Sequence, residues 1–170
     1  AAGTAAVVDD KQAAFGLGYL RLTTPASADH VTVFSQKFAL KKLSTISELS
    51  FESLIEQAST ANNQAAPSIN IQINPHKANK TFSTLVWEPI YSGAAVKTGS
   101  WQEWEPSASK GWWATRADPL ITDAFNLFGF KSYTATFADV KAALPDAEIL
   151  QIGINQGSGS TGLVAGVDRY

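Results

Sequence analysis

Cysteine is absent from the chain, which removes disulfides, thiolate catalysis and every zinc site built on sulfur. Charge is scarce as well. Charged residues make up 16%, the net charge is −2, and no basic cluster exceeds the pair Lys41-Lys42. A nucleic-acid footprint needs a concentrated basic face, so no nucleic-acid partner is expected. No apolar run approaches the ~20 residues that cross a bilayer, and no membrane span is expected. Only His30 and His76 could serve as imidazole bases, and no serine stands in a G-x-S-x-G elbow. Nothing therefore points to nucleophilic catalysis. What the chain does have is apolar mass: 45% of its 170 residues are hydrophobic, enough for one folded domain with a sizeable core.

The pattern of that mass is that of short strands. Residues 1–13 are small and polar, without periodicity, and read as a flexible N-terminal arm ahead of a single domain over 14–170. The opening AAGTAAVVDD resembles a mature terminus left by cleavage at a small-residue site, so a secreted or extracellular protein is expected. Asn79-Lys80-Thr81 spells a glycosylation sequon, a three-residue match close to chance. Strands are predicted from Phe15 to Thr24, over 30–38, over 68–74, over 82–91, over 147–156 and over 163–170. SINIQIN is the clearest, with Ile69, Ile71 and Ile73 on one face and Ser68, Asn70, Gln72 and Asn74 on the other. In 147–156, strict alternation sets Ile149, Gln151 and Gly153 against Leu150, Ile152 and Ile154. Asp118-Pro119 opens one predicted helix, which Gly129 stops. Thr136-x-x-Asp139 is a capping box for a second, which Pro145 ends. Many short strands with one or two short helices predict a mainly β chain: an antiparallel two-sheet β-sandwich of jelly-roll type.

Four of the five tryptophans fall in WQEWEPSASKGWW. Successive side chains of a strand point to opposite faces, so adjacent Trp112 and Trp113 cannot share one core. Trp101 and Trp104, three apart, should also split. At least one large aromatic is thus expected on a second face or in a groove. Sugars stack their C–H faces on such rings while neighbouring amides and carboxylates take the hydroxyls. Trp101, Gln102, Glu103, Trp104, Glu105, Trp112 and Trp113 are the candidate ligand-binding residues.

Other chemistry is thinner. Gly157 to Gly162 matches G-x-G-x-x-G, but the chain ends before the acidic residue about 20 positions on that a dinucleotide site needs. A loop between strands is the better reading. Glu103 and Glu105 lie two apart, roughly 6.5–7 Å along one strand face, and Glu88 lies nearby in sequence. A glycosidase needs two carboxylates about 5–10 Å apart, so that geometry is permitted, although solvated edge glutamates explain the pair more simply. Asp9, Asp10, Asp29, Asp118, Asp123 and Asp168 could donate oxygens to a structural calcium ion, yet no D-x-D-x-D-G loop occurs and no cofactor is otherwise implied.

The pieces TLVWEPIY (84–91), GSWQEWEP (99–106), GWWATR (111–116) and PDAEILQIGINQGSGSTGLVAGVD (145–168), with GYLRLTTP, LSFESL and PSINIQIN, carry a resemblance. The chain resembles a group of uncharacterised secreted bacterial proteins with a lectin-like, jelly-roll β-sandwich domain. That resemblance implies fold and export and transfers no functional residue. It also implies a further strand after GLVAGVD, whose lack would leave an open sheet edge. For 47–59, periodicity slightly prefers a helix (Phe51, Leu54, Ile55, Ala58), whereas the resemblance prefers a strand, and strand is adopted. Three functions follow in order: a secreted, non-catalytic binding module for carbohydrate; a subunit of an extracellular fibre or surface layer, self-associating through residues 1–13 and an open edge; and a carbohydrate-active enzyme using Glu103 with Glu105, or Glu88.

Overall fold

A computed structural model describes residues 3–76, 82–115 and 133–170. Eleven strands form two antiparallel sheets among these residues. They are β1 (Thr4–Asp9), β2 (Gly18–Thr24), β3 (Val31–Ser35), β4 (Phe51–Gln57), β5 (Ser68–Asn74) and β6 (Ser83–Trp87), followed by β7 (Trp101–Trp104), β8 (Lys110–Ala114), β9 (Ala135–Thr136), β10 (Glu148–Gln156) and β11 (Leu163–Asp168). Two short helices, α1 (Pro89–Ser92) and α2 (Phe137–Ala143), complete the elements of the described residues apart from a 3-10 turn at Leu43–Thr45. One sheet runs β1-β2-β11-β4-β7 and the other β3-β10-β5-β6-β8-β9. The pairings nest: β2 with β11, β3 with β10, β4 with β7, β5 with β6. Among these eight strands the first pairs with the last and the innermost two pair with each other, which is the jelly-roll winding of an antiparallel sandwich.

The core fills the space between the sheets. Ile69, Ile71, Ile73, Leu85, Trp87, Trp112 and Ile154 face inward from one sheet; Leu20, Leu22, Phe51, Ile55, Trp104, Leu163, Ala165 and Val167 face inward from the other. Trp87 meets the edge of Phe51 at 6.1 Å between ring centroids and tilts against Trp104 at 6.0 Å. The two sheets thus join through aromatic rings, a geometry worth more than buried area alone. Buried Gln156 adds a polar tie. Its amide donates to the Thr24 hydroxyl at 2.8 Å and to the Leu163 carbonyl at 3.0 Å.

Several expectations hold and several shift. Residues 47–59 contribute a strand, trimmed to Phe51–Gln57. The capping box forms, with the Thr136 hydroxyl accepting from the Asp139 amide and the Asp139 carboxylate accepting from the Thr136 amide. The Thr136 hydroxyl also donates to that carboxylate at 2.6 Å, and this bond first, then the one from the Thr136 amide, holds the Asp139 carboxyl below its ordinary range. Residues 157–162 are the loop crossing from β10 to β11, pinned by Gly162 N–H to Thr24 at 2.8 Å and Gly159 N–H to Ser27 at 2.9 Å. The strand expected from Phe15 is β2, which begins at Gly18, and Phe15 and Leu17 stay exposed. In β10, strict alternation fails. A bulge between Ile149 and Gln151 brings Ile149 to the core side together with Ile152 and Ile154, because one extra residue inverts the parity of everything before it.

Two corrections concern the edges. Residues 4–9 belong to no free arm: they pair in register with β2 along their whole length, since a ladder of main-chain hydrogen bonds needs no apolar period. The open edge expected after Asp168 does not arise, for β11 is flanked by β2 and β4. The helix predicted from Asp118-Pro119 and the sequon at 79–81 lie outside the described residues.

Gly153 marks the closest approach of β10 to β3. A Cβ there would fall against the Val33 carbonyl oxygen and within 2.7 Å of Phe34 Cδ1. Gly153→Ala should therefore cost about 1–3 kcal/mol by overpacking, read as a lower urea midpoint with an unchanged slope.

Candidate functional site

The tryptophans divide between faces as strand alternation requires, and they do not form one surface. Trp104 and Trp112 are buried in the core; their indole N–H groups donate to Ser53 Oγ and the Pro106 carbonyl, each at 2.8 Å. Trp101 lies on the outer side of the β1–β2–β11–β4–β7 sheet, edge-on to Tyr19 at 5.4 Å, and donates to the Gln12 carbonyl at 2.6 Å. Gly166 makes this seating possible, because a Cβ there would stand 2.7 Å from the Tyr19 ring and 3.2 Å from Trp101. Glu56 locks the same surface. It accepts from the Tyr19 hydroxyl at 3.0 Å and pairs with Arg21 at 2.7 Å. Burial first, and then the Glu56 hydrogen bond, raises the Tyr19 hydroxyl above its ordinary pKa. Trp113 faces out of the opposite sheet, half-buried, donating to Glu88 Oε2 at 3.2 Å. Trp101 and Trp113 thus lie on opposite outsides of the molecule.

Four of the predicted residues do meet. Gln102, Glu103, Trp104 and Glu105 share a shallow hollow of about 290 Å³ with Trp87 and Ser109. Its chemistry is largely committed. The Gln102 side chain accepts from Lys97 N–H and donates to the Ala95 carbonyl, shaping the loop before β7. Glu103 stands opposite Glu52, which Arg169 binds at 3.1 Å. Because β7 ends at Trp104, Glu105 lies past the strand in a turn, where its carbonyl accepts from Ala108 and Ser109. The two glutamates therefore do not continue along one strand face as expected.

His30 is exposed, and His76 lies 2.9 Å from Glu148. No group of three metal-ligating side chains converges among the described residues. Asp29 and Asp10 accept backbone N–H groups in their own turns, and Asp168 accepts from Phe15 at 2.7 Å and Arg169 at 2.8 Å.

A more ordered polar surface stands elsewhere, on the outside of the β3–β10–β5 half of its sheet. Cross-strand register places Phe34, Gly153 and Asn70 in one row. Thr32, Asn155 and Ser68 form the next row, and Gln151 and Gln72 the row on the other side. Ring atoms of Phe34 take the space that a side chain on Gly153 would need. Around the ring, Thr32 donates to Asn155 Oδ1 at 2.8 Å, Asn155 donates to Ser68 Oγ at 3.3 Å, and Gln151 donates to Gln72 at 2.7 Å. These amides are half-buried, and no charged side chain stands in the three rows. Asn70 and Trp113 flank Val86 on the same face, two strand spacings or roughly 10 Å apart. Further along, Tyr133 meets Trp113 edge-on at 5.9 Å and stacks on Tyr91 at 3.7 Å.

Sequence reasoning placed Ser68, Asn70 and Gln72 on one face of their strand but did not single them out. The missing information was pairing. Only the β10–β5 register sets Gln151 beside Gln72, and only the β3–β10 register sets Phe34 over a glycine. No protein-family model, curated protein or solved structure matches this chain. No helix among the described residues is long and apolar enough to cross a membrane.

Burial first, and then a hydrogen bond with Tyr133, pushes the Tyr91 hydroxyl up to about 12. Its folded value exceeds its unfolded value of about 10. The associated stability is therefore complete below pH about 10 and is lost as pH rises toward 12. Tyrosinate absorbance of Tyr91→Phe should lack the last-ionising step, and the variant's stability should fall less across that interval.

Proposed function

We propose that this protein is a non-catalytic binding module for neutral glycans, acting outside the cell, and that the ligand lies on the outer face of the β3–β10–β5 strands. The carrying observation is the Phe34 ring set against Gly153 within a frame of uncharged amides and hydroxyls. A sugar offers an apolar C–H face and a rim of hydroxyls, and this surface offers the complement of each. The amides already hold one another, so little side-chain freedom remains to be lost on binding. The resemblance to secreted bacterial proteins supports an extracellular setting. The clustered tryptophans contribute through the fold, with Trp113 alone on the ligand-bearing sheet's outer side.

Calorimetric titration against a panel of neutral oligosaccharides tests this. At least one should bind saturably. Phe34→Ala should weaken it about tenfold or more, and Asn70→Ala by several-fold, each with the melting temperature nearly unchanged. Silence across the panel, or indifference to Phe34, would dispose of the reading.

Self-assembly is a second reading, favoured by β1. This edge strand is exposed nearly throughout, with Val7 at 79%. It carries Ala5, Ala6, Val7 and Val8 and lacks the lysine, proline or bulge that usually blunts a sheet edge. A second copy could add its own β1 antiparallel to it, each terminal Asp9 then lying opposite Thr4 of the other copy. Sedimentation should show a concentration-dependent mass that Val7→Lys abolishes; a wild-type chain that stays monomeric at every concentration would exclude this assembly.

A further inference from the structure

Among the described residues the sandwich is open at one end, where the chain between β3 and β4 leaves the sheet. Leu40 and Lys41 rejoin it, exchanging backbone hydrogen bonds with Ile149 at 2.8 Å each, and Leu43 bonds Ala147 at 2.8 Å. Between Ser35 and Leu40 the chain makes an outward excursion, closed by bonds from Ala39 to Gln36 and from Lys41 to Phe38. Leu40 holds a left-handed φ of 65°, a conformation seldom adopted by a residue with a branched side chain. The excursion leaves the inward side of Ile152 only half covered. Two hollows of about 610 Å³ and 410 Å³ meet there and share Phe38, Glu48, Leu49 and Ile152. Ile69 and Tyr170 line the larger one and Ile149 the smaller.

Charge distinguishes the mouth from the floor. The floor is aliphatic. At the mouth, Lys37 and Lys41 hold their ammonium groups 5.8 and 5.5 Å from the centre of the Phe38 ring, which is 39% exposed. Glu48 is the remaining charged side chain of the walls, so the side chains of the rim sum to one positive charge. Lys42 is engaged with Asp146 at 3.4 Å. An apolar cleft of this size suits a small ligand, and the two lysines above it favour an anionic head group.

We propose that this cleft binds a single-chain anionic amphiphile, a free long-chain carboxylate, with its alkyl chain against Ile152, Ile149 and Leu49 and its carboxylate between Lys37 and Lys41. The cleft opens between the sheets and meets the Phe34 face only through the backbone of Gly153, and the proposal stands whether or not that face binds glycans. Each methylene that leaves water should tighten binding about fourfold, and the head group should act through the two lysines.

Titration with sodium octanoate, decanoate and dodecanoate below their micelle concentrations tests it, with dodecyltrimethylammonium as the cationic counterpart. Dodecanoate should bind one per chain and at least tenfold tighter than octanoate, and the cation at least tenfold weaker than dodecanoate. Lys37→Ala/Lys41→Ala, two exposed positions, should weaken dodecanoate about tenfold while leaving the melting temperature unchanged. Phe34→Ala should leave dodecanoate binding intact, which separates this site from the glycan face. Three outcomes would overturn the proposal: no saturable binding, affinity indifferent to chain length or head-group sign, or binding of phosphatidylglycerol vesicles without binding of dodecanoate.

Discussion

Trp87 holds a position on which both layers of this molecule depend. It is fully buried, it spans the gap to Phe51 and Trp104 of the facing sheet, and its indole N–H donates to the Lys110 carbonyl at 2.9 Å. One side chain therefore sets the spacing between sheets and also fixes where β8 begins beside β6. Trp112, paired with Trp87 across those strands, extends the aromatic layer to Phe137 of α2 at 4.9 Å. Rings of this size have few ways to fit together, so their arrangement dictates which neighbouring residues turn outward.

Outward positions follow from that commitment. With Trp112 fixed inside, Trp113 must be outside; with Trp104 inside, Trp101 must be outside. The same parity, carried across the ladder from Trp87 through Ile69 to Ile154, turns Asn70, Gly153 and Phe34 to the exterior. The polar face is thus the reverse side of the hydrophobic core, written by the same alternation. The hollow at β7 differs, since it is assembled from a strand end and its flanking turns, where side chains are engaged in shaping loops.

Much of the fold was legible in the residues. The period-two pattern of 68–74 gave its strand with correct ends, and Thr136 with Asp139 gave its helix start, because both signals are local. The separation of Trp112 from Trp113 needed only extended backbone. What escaped was non-local or carried by the main chain. β1 has no apolar period to announce it, and a single bulge residue in β10 moved Ile149 away from the face of Gln151 and Gly153 to the core side. The Phe34–Gly153 contact joins positions 119 apart in sequence, so no window along the chain could contain it. Likewise, both lysines flanking Phe38 are visible in the sequence, but not the aliphatic floor supplied by a strand more than a hundred residues later.

Gln156 and the cleft lie toward opposite ends of the sandwich. At one end an amide stitches β10 to β2 and β11, beside the loop that carries the chain from one layer to the other. At the other, the layers part around Ile152. The molecule is therefore built like a book bound along a short spine, and any breathing of its covers pivots at Thr24 and Gln156 and widens at the fore-edge. Amides near Ser35 and Ser50 would then exchange with solvent through small openings that leave the bound end shut.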